Sequence, residues 1–162
     1  MKVVVTGAAG FVGSHLTEAL LGSGHQVVGI DCFTDYYGRA DKEDNLAVAR
    51  THDGFTFVEA DLRTDALEPL LDGADVIVNE AATPGLVLSW DDFERYQSTN
   101  LSAVKRLIDA SVAVGVGHFV QASTSSVYGV DANLAFFQIL RFACAKNSMS
   151  LGLDPGQPPS MK

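Results

Sequence analysis

The amino-acid sequence predicts a doubly wound α/β domain: a parallel sheet of about five strands, covered by helices on both faces. Three observations carry this reading. Short β-branched or aromatic runs alternate with helix-spaced apolar segments from Val3 to Gln121. The first run, Val3-Val4-Val5, is apolar at every position, as in a strand buried on both sides. Glycine or acidic residues close several of the runs, at Gly7, Asp31 and Asp61, so a single rim of the sheet collects them.

The elements follow in order. After Val3–Val5 comes a glycine-punctuated turn, then a helix over Phe11–Leu21, ended by Gly22 and Gly24. Val27-Val28-Gly29-Ile30 is the second strand and closes on Asp31. The stretch from Asp31 to Asn45 is a polar loop carrying Tyr36-Tyr37, and helical spacing is possible from Lys42 to Arg50. Phe55–Val58 is the third strand, leading to Asp61-Leu62, and Ala66–Leu71 reads as a short helix. Asp75–Val78 is the fourth strand; a loop with Pro84 and Gly85 precedes a long helix over about Trp90–Ala113, and His118–Gln121 is the fifth strand. In such sheets ligands sit beyond the carboxyl ends of the strands, where Gly7, Asp31, Asp61, Ala81 and Thr124 all fall.

The alternation stops at Gly129. The expected organisation is a dinucleotide-binding domain over residues 1–129, followed by residues 130–162, in which Leu134–Cys144 reads as an apolar helix broken by Gln138 and Arg141. Leu153–Pro159 has the composition of a disordered linker. The loss of pattern suggests an interrupted reading frame, a question that the neighbouring DNA answers.

Of the 162 residues, 47% are hydrophobic, enough for one globular core. A net charge of −9 supplies no basic stripe for nucleic acid or an anionic membrane. The N-terminal apolar run is too short for a signal peptide or a membrane span, and Met1 reads as a true start. Cys32 and Cys144 match no metal-ligand spacing and suit a reducing, cytoplasmic setting.

Glycines at 7, 10 and 13 lie between the first strand and the first helix. There Gly7 permits a tight turn, Gly10 lets backbone approach a pyrophosphate, and Gly13 lets the helix pack closely, while amides at the helix start face the anion. The spacing has one residue more between its first two glycines than G-x-G-x-x-G. Asp31 lies 18 residues past Gly13, near the ~20-residue separation of the acid that accepts from an adenosine ribose. A carboxylate there repels a 2′-phosphate, and Cys32-Phe33 follow with no arginine in the turn, so NAD is favoured over NADP.

Together, Thr6-Gly7-x-x-Gly10-Phe11-Val12-Gly13, Asp31, Asp61-Leu62, Ala81-Ala82 and Ser123-Thr124-Ser125-Ser126-Val127-Tyr128-Gly129 resemble the extended short-chain dehydrogenase/reductase family, within it the NAD-dependent nucleotide-sugar epimerases and dehydratases. Asp35-Tyr36-Tyr37 and Pro84–Trp90 look most like the UDP-glucose/UDP-glucuronate 4-epimerase branch. The resemblance implies a Rossmann-like fold and a nucleotide-sugar partner. It implies that Asp61 and Leu62 flank the adenine, that Ala81 and Ala82 line the cofactor's path, and that Asn100 stands near the nicotinamide. Thr124 matches the family's active-site Ser/Thr, whose hydroxyl both donates and accepts. Ser125 and Ser126 stand where dehydratases and decarboxylases tend to carry an acid, which favours epimerisation.

The sequence also departs from the family. Its catalytic Tyr-x-x-x-Lys pair has no counterpart: no tyrosine follows Tyr128, and Phe142 stands four residues before Lys146. The substrate domain is expected to be missing, Asn79-Glu80 stands where relatives usually have a histidine and an apolar residue, and Val87 stands where many epimerases of this branch have an arginine. The expectation is the NAD-binding portion of an epimerase, catalytically incomplete and truncated relative to the family. The alternatives are a non-catalytic dinucleotide-binding or interaction module dimerising through the long helix around Lys105 and Leu107, an inert gene fragment, and a dehydratase or decarboxylase.

Overall fold

A computed structural model of the chain describes residues 1–85, 88–124, 140–145 and 148–150. Strand β1 (Lys2–Thr6) is central. It pairs in parallel with β2 (Gln26–Asp31) on one side and β4 (Val76–Asn79) on the other, so that Val4 stands between Val28 and Ile77. Strands β3 (Phe55–Glu59) and β5 (His118–Gln121) extend the sheet outward, also in parallel.

Side chains alternate across a strand, which explains why the valine run has no polar position. Val3, Val5 and Val27 share one core with Leu21 of helix α1 (Phe11–Gly22) and Leu46 of α2 (Arg39–Leu46). Val4, Ile77 and Phe119 share the opposite core with Leu71 of α3 (Glu68–Leu71) and with Leu107 and Ala110 of α6 (Ala103–Val114). Val3, Val4 and Val5 are at most 2% exposed, and each contributes about 1.5–3 kcal/mol of transfer free energy. The five parallel strands between two helical layers bear out the predicted fold class.

Three elements differ from the sequence reading; the first is α2, which begins at Arg39, inside the stretch read as a polar loop, and ends at Leu46. The long helix is divided into α4 (Leu88–Asp91), α5 (Phe93–Gln97), a π-helical turn at Ser98–Ser102, and α6. The division begins at Asp92, whose side chain accepts the Arg95 N–H at 3.2 Å and so caps a new helix. Farther on, Leu140–Cys144, read from sequence as part of a helix, falls in strand β6 (Leu140–Ala145), which pairs antiparallel with β5 and with β7 (Ser148–Ser150). Short apolar runs do not separate helix from strand by periodicity, and β5 otherwise ends the parallel sheet with an open edge. The rest of the expected helix, residues 134–139, and the expected linker at 153–159 lie outside the described residues.

Leu107 faces the core, so the outward surface of α6 is carried instead by residues such as Lys105, which pairs with Asp109. Among the described residues no helix is long and apolar enough to cross a membrane.

Candidate functional site

With strand order β3-β2-β1-β4-β5, the chain leaves β1 and β4 in opposite directions, and a crevice opens past their carboxyl ends. The glycine turn fills its floor. Gly7 has φ +66°, and a Cβ there would lie 2.8 Å from the Ala81 nitrogen. The Gly10 N–H donates to the Gly7 carbonyl at 2.9 Å, and Gly10 in turn accepts the Ser14 N–H at 2.9 Å as the helix N-cap. A Cβ on Gly13 would stand 2.1 Å from the Gly7 oxygen, so α1 packs directly onto the turn. The first turn of α1 contains no acidic residue, and its N–H groups have no acceptor within the helix, which suits an anion.

Asp31 reaches this turn from the next strand. Its Oδ2 accepts the Ala9 N–H at 3.2 Å and its Oδ1 accepts the Phe33 N–H at 2.8 Å. Phe33 makes the second bond from a left-handed backbone, φ +50°, which costs a non-glycine residue free energy. The Lys42 ammonium lies 3.6 Å from Oδ1, and both side chains are less than 10% exposed. Two further residues fix the loop: the Tyr37 hydroxyl donates to the Ala9 carbonyl at 3.2 Å and the Asn45 amide donates to it at 2.9 Å. Burial pushes the Tyr37 hydroxyl up in pKa, and the Asp31 charge adds to it.

On the far side of β2, Arg63 holds the Asp61 carboxylate with two prongs, Nε to Oδ1 at 2.9 Å and Nη2 to Oδ2 at 2.7 Å, and keeps it below its usual pKa. The Cys32 thiol is raised by burial and then by Asp61 and Asp31, so the neutral form is favoured.

At the end of β4, Thr6 Oγ1 donates to Asn79 Oδ1 and accepts the Ala81 N–H at 3.3 Å, while Asn79 Nδ2 donates to Gln121 Oε1 at 2.8 Å. This buried chain aligns the tips of β1, β4 and β5. Glu80, half-buried beside it, has its carboxyl pKa raised by desolvation.

These walls enclose a cavity of about 410 Å³, within the ~300–1,000 Å³ typical of small-molecule sites. The sequence-predicted residues Gly7, Gly10, Phe11, Val12 and Gly13 line it along the turn; Asp31, Cys32, Asp61 and Leu62 line one wall, and Ala81 and Ala82 the other. Two expected residues fall outside the described lining. Asn100 clasps the Thr83 backbone, accepting its N–H at 2.8 Å and donating to its carbonyl at 2.9 Å. Thr124 lies exposed three residues beyond β5. Ser125–Gly129 and Val87 lie outside the described residues.

Sequence reasoning missed Thr34, Tyr37, Lys42 and Arg63 on the same walls, together with Thr99 of the π-helical turn. A lysine eleven residues after the strand-end acid gives no motif. Only its burial reveals it.

A glycine turn that opens onto free helix amides, with a carboxylate at the neighbouring strand tip, is the arrangement of a dinucleotide-binding α/β domain. The chain belongs to the NAD dependent epimerase/dehydratase family, whose model matches residues 3–144. It is 46% identical over 131 residues to the uncharacterized UDP-glucose epimerase YtcB of Bacillus subtilis (strain 168), covering 80% of this chain and 42% of that one. It is 34% identical over 164 aligned positions to a probable UDP-glucuronate 4-epimerase of Rhizobium meliloti (strain 1021), covering 93% and 47%. Among solved structures it resembles UDP-glucuronic acid 4-epimerase from Bacillus cereus in complex with UDP-glucuronic acid and NAD. The TM-score is 0.76 at 38% identity, over 86% of this chain and 46% of that one. The chain thus spans less than half the length of these relatives.

Proposed function

We propose that this chain is the NAD-binding portion of a UDP-hexose 4-epimerase-like enzyme, and that by itself it binds the dinucleotide without turning over a nucleotide sugar. The observation that carries the reading is the Ala9–Asp31 hydrogen bond, which makes the glycine turn and the strand-end carboxylate one continuous wall. The residues present suit an adenine dinucleotide. Asp31 accepts from the adenosine ribose, the start of α1 takes the pyrophosphate, Asp61 and Leu62 border the adenine, and Ala81 and Ala82 leave a flat path toward Asn100 and Thr124.

NAD, when bound, supplies a reversible hydride acceptor. The chain's own contribution at the sugar is the Thr124 hydroxyl, able to hold the oxygen of the carbon being oxidised. Proton removal needs a base of lowered pKa. The family's tyrosine and lysine for that step have no match in this sequence, and Ser125 and Ser126 offer no carboxyl for elimination.

Calorimetric titration with NAD tests the binding, and incubation with NAD and either UDP-glucose or UDP-glucuronate tests the chemistry. Saturable NAD binding without a new epimer is expected. No binding removes the cofactor assignment; an epimer above blank removes the claim of incompleteness.

A further inference from the structure

Lys42 is 4% exposed, a rare state for a lysine, and it belongs neither to the glycine turn nor to β2 but to the first turn of α2. Its Nζ donates to Thr34 Oγ1 at 3.2 Å and stands 5.2 Å from the centre of the Tyr37 ring. The Asp31 oxygen is 3.6 Å away, too long for a good hydrogen bond, so the ammonium keeps donor capacity after Thr34 is served. Asp31 is in a complementary condition. Its two oxygens take one backbone N–H each and retain lone pairs. Both side chains line the same cavity.

We propose that Lys42 is the second half of the adenosine-ribose subsite and a determinant of cofactor choice. Asp31 accepts one ribose hydroxyl, and the Lys42 ammonium donates to the oxygen of its neighbour. The cavity therefore does contain a cation near a 2′-phosphate position, and NADP is refused because Asp31 already neutralises it. The inference rests on reading the cavity as an NAD site.

The test titrates NAD and NADP into the 162-residue chain and into K42M, D31N and the double variant D31N/K42M. K42M is expected to weaken NAD by about tenfold to a hundredfold, the worth of a charge-assisted hydrogen bond. D31N frees the Lys42 charge and is expected to shift the NADP-to-NAD affinity ratio toward NADP by about tenfold or more; in D31N/K42M that shift disappears. A lysine that only supports the fold would not move this ratio. NAD affinity in K42M within about twofold of the parent chain, or an equal shift toward NADP in the double variant, overturns the proposal. Should K42M fail to fold, D31N/K42M, which buries no uncompensated charge, is compared with D31N: a further loss of NAD affinity in the double variant supports the subsite, and equal NAD affinity in the two overturns it. A parent chain that binds no NAD removes the underlying reading and this inference together, whereas NAD binding that is indifferent to Lys42 removes the inference alone.

Discussion

The backbone N–H of Ala9 donates to Asp31 Oδ2 at 3.2 Å, joining positions 22 residues apart at the tips of neighbouring strands. Two sequence signals, a glycine turn and a lone acid, become one site through this contact. The Lys42 ion pair behind it makes the acid structural as well. Asp31→Ala leaves a buried ammonium without a counter-charge, which costs about 3–5 kcal/mol of unfolding free energy in urea. Asp31→Ala/Lys42→Met should regain most of that loss. If the double variant is no more stable than the single one, the pair is not what holds this corner together.

The glycines of α1 make opposite predictions. At Gly13 an added Cβ meets the Gly7 oxygen at 2.1 Å, so Gly13→Ala forces the helix off the turn. A loss of about 1–3 kcal/mol is expected, with weakened NAD binding. At Gly22, the last residue of the helix, an added Cβ meets nothing within 4 Å. Gly22→Ala should raise stability by about 0.4–1 kcal/mol through the unfolded chain's lost freedom. Melting curves moving in the same direction for both would contradict this account of Gly13.

The parallel core was legible because Val3–Val5, Val27–Ile30 and Val76–Val78 pack, buried or half-buried, against the two cores and leave continuous apolar runs in the sequence. Gly7 and Asp31 were legible because their spacing is set by a strand, a turn and a helix of near-fixed length. Lys42 was not, since its partner lies across a loop and its charge suggests solvent. The division of the long helix was hidden for a related reason: Asp92 suits a helix surface as well as a cap, and only its bond to the Arg95 N–H distinguishes them. Leu140–Cys144 misled because pairing with β5, and not local periodicity, sets its conformation.

Asn79 is 0% exposed and stands between Thr6 and Gln121. Asn79→Ala removes the acceptor of one buried hydroxyl and the donor to a neighbouring amide, and each loses that partner. A loss of about 2–4 kcal/mol is expected in urea unfolding, together with faster hydrogen exchange at the Ala81 amide that Thr6 holds. Protection at Ala81 equal to that of the parent chain would show that Thr6 keeps its position without Asn79.

Glu80 should impose a pH dependence whose sign follows from its surroundings. Desolvation raises its carboxyl above the ordinary 4.5, so the native chain binds a proton more tightly than the unfolded one. Below the unfolded value both states are protonated and Glu80→Gln changes little. As pH climbs from 4.5 through the native value, the parent chain loses stability that the glutamine variant keeps, and above that value the gap is constant. Thermal melts of both chains from about pH 4 to pH 8 should therefore coincide at the acid end and separate toward neutrality, with Glu80→Gln the more stable. The same carboxylate lines the cavity beside Gly7, where the proposed site would take a dinucleotide's phosphates, so the variant should also bind NAD more tightly at neutral pH than at acid pH relative to the parent. Parallel melting curves across the range would mean that Glu80 meets water freely in the folded chain.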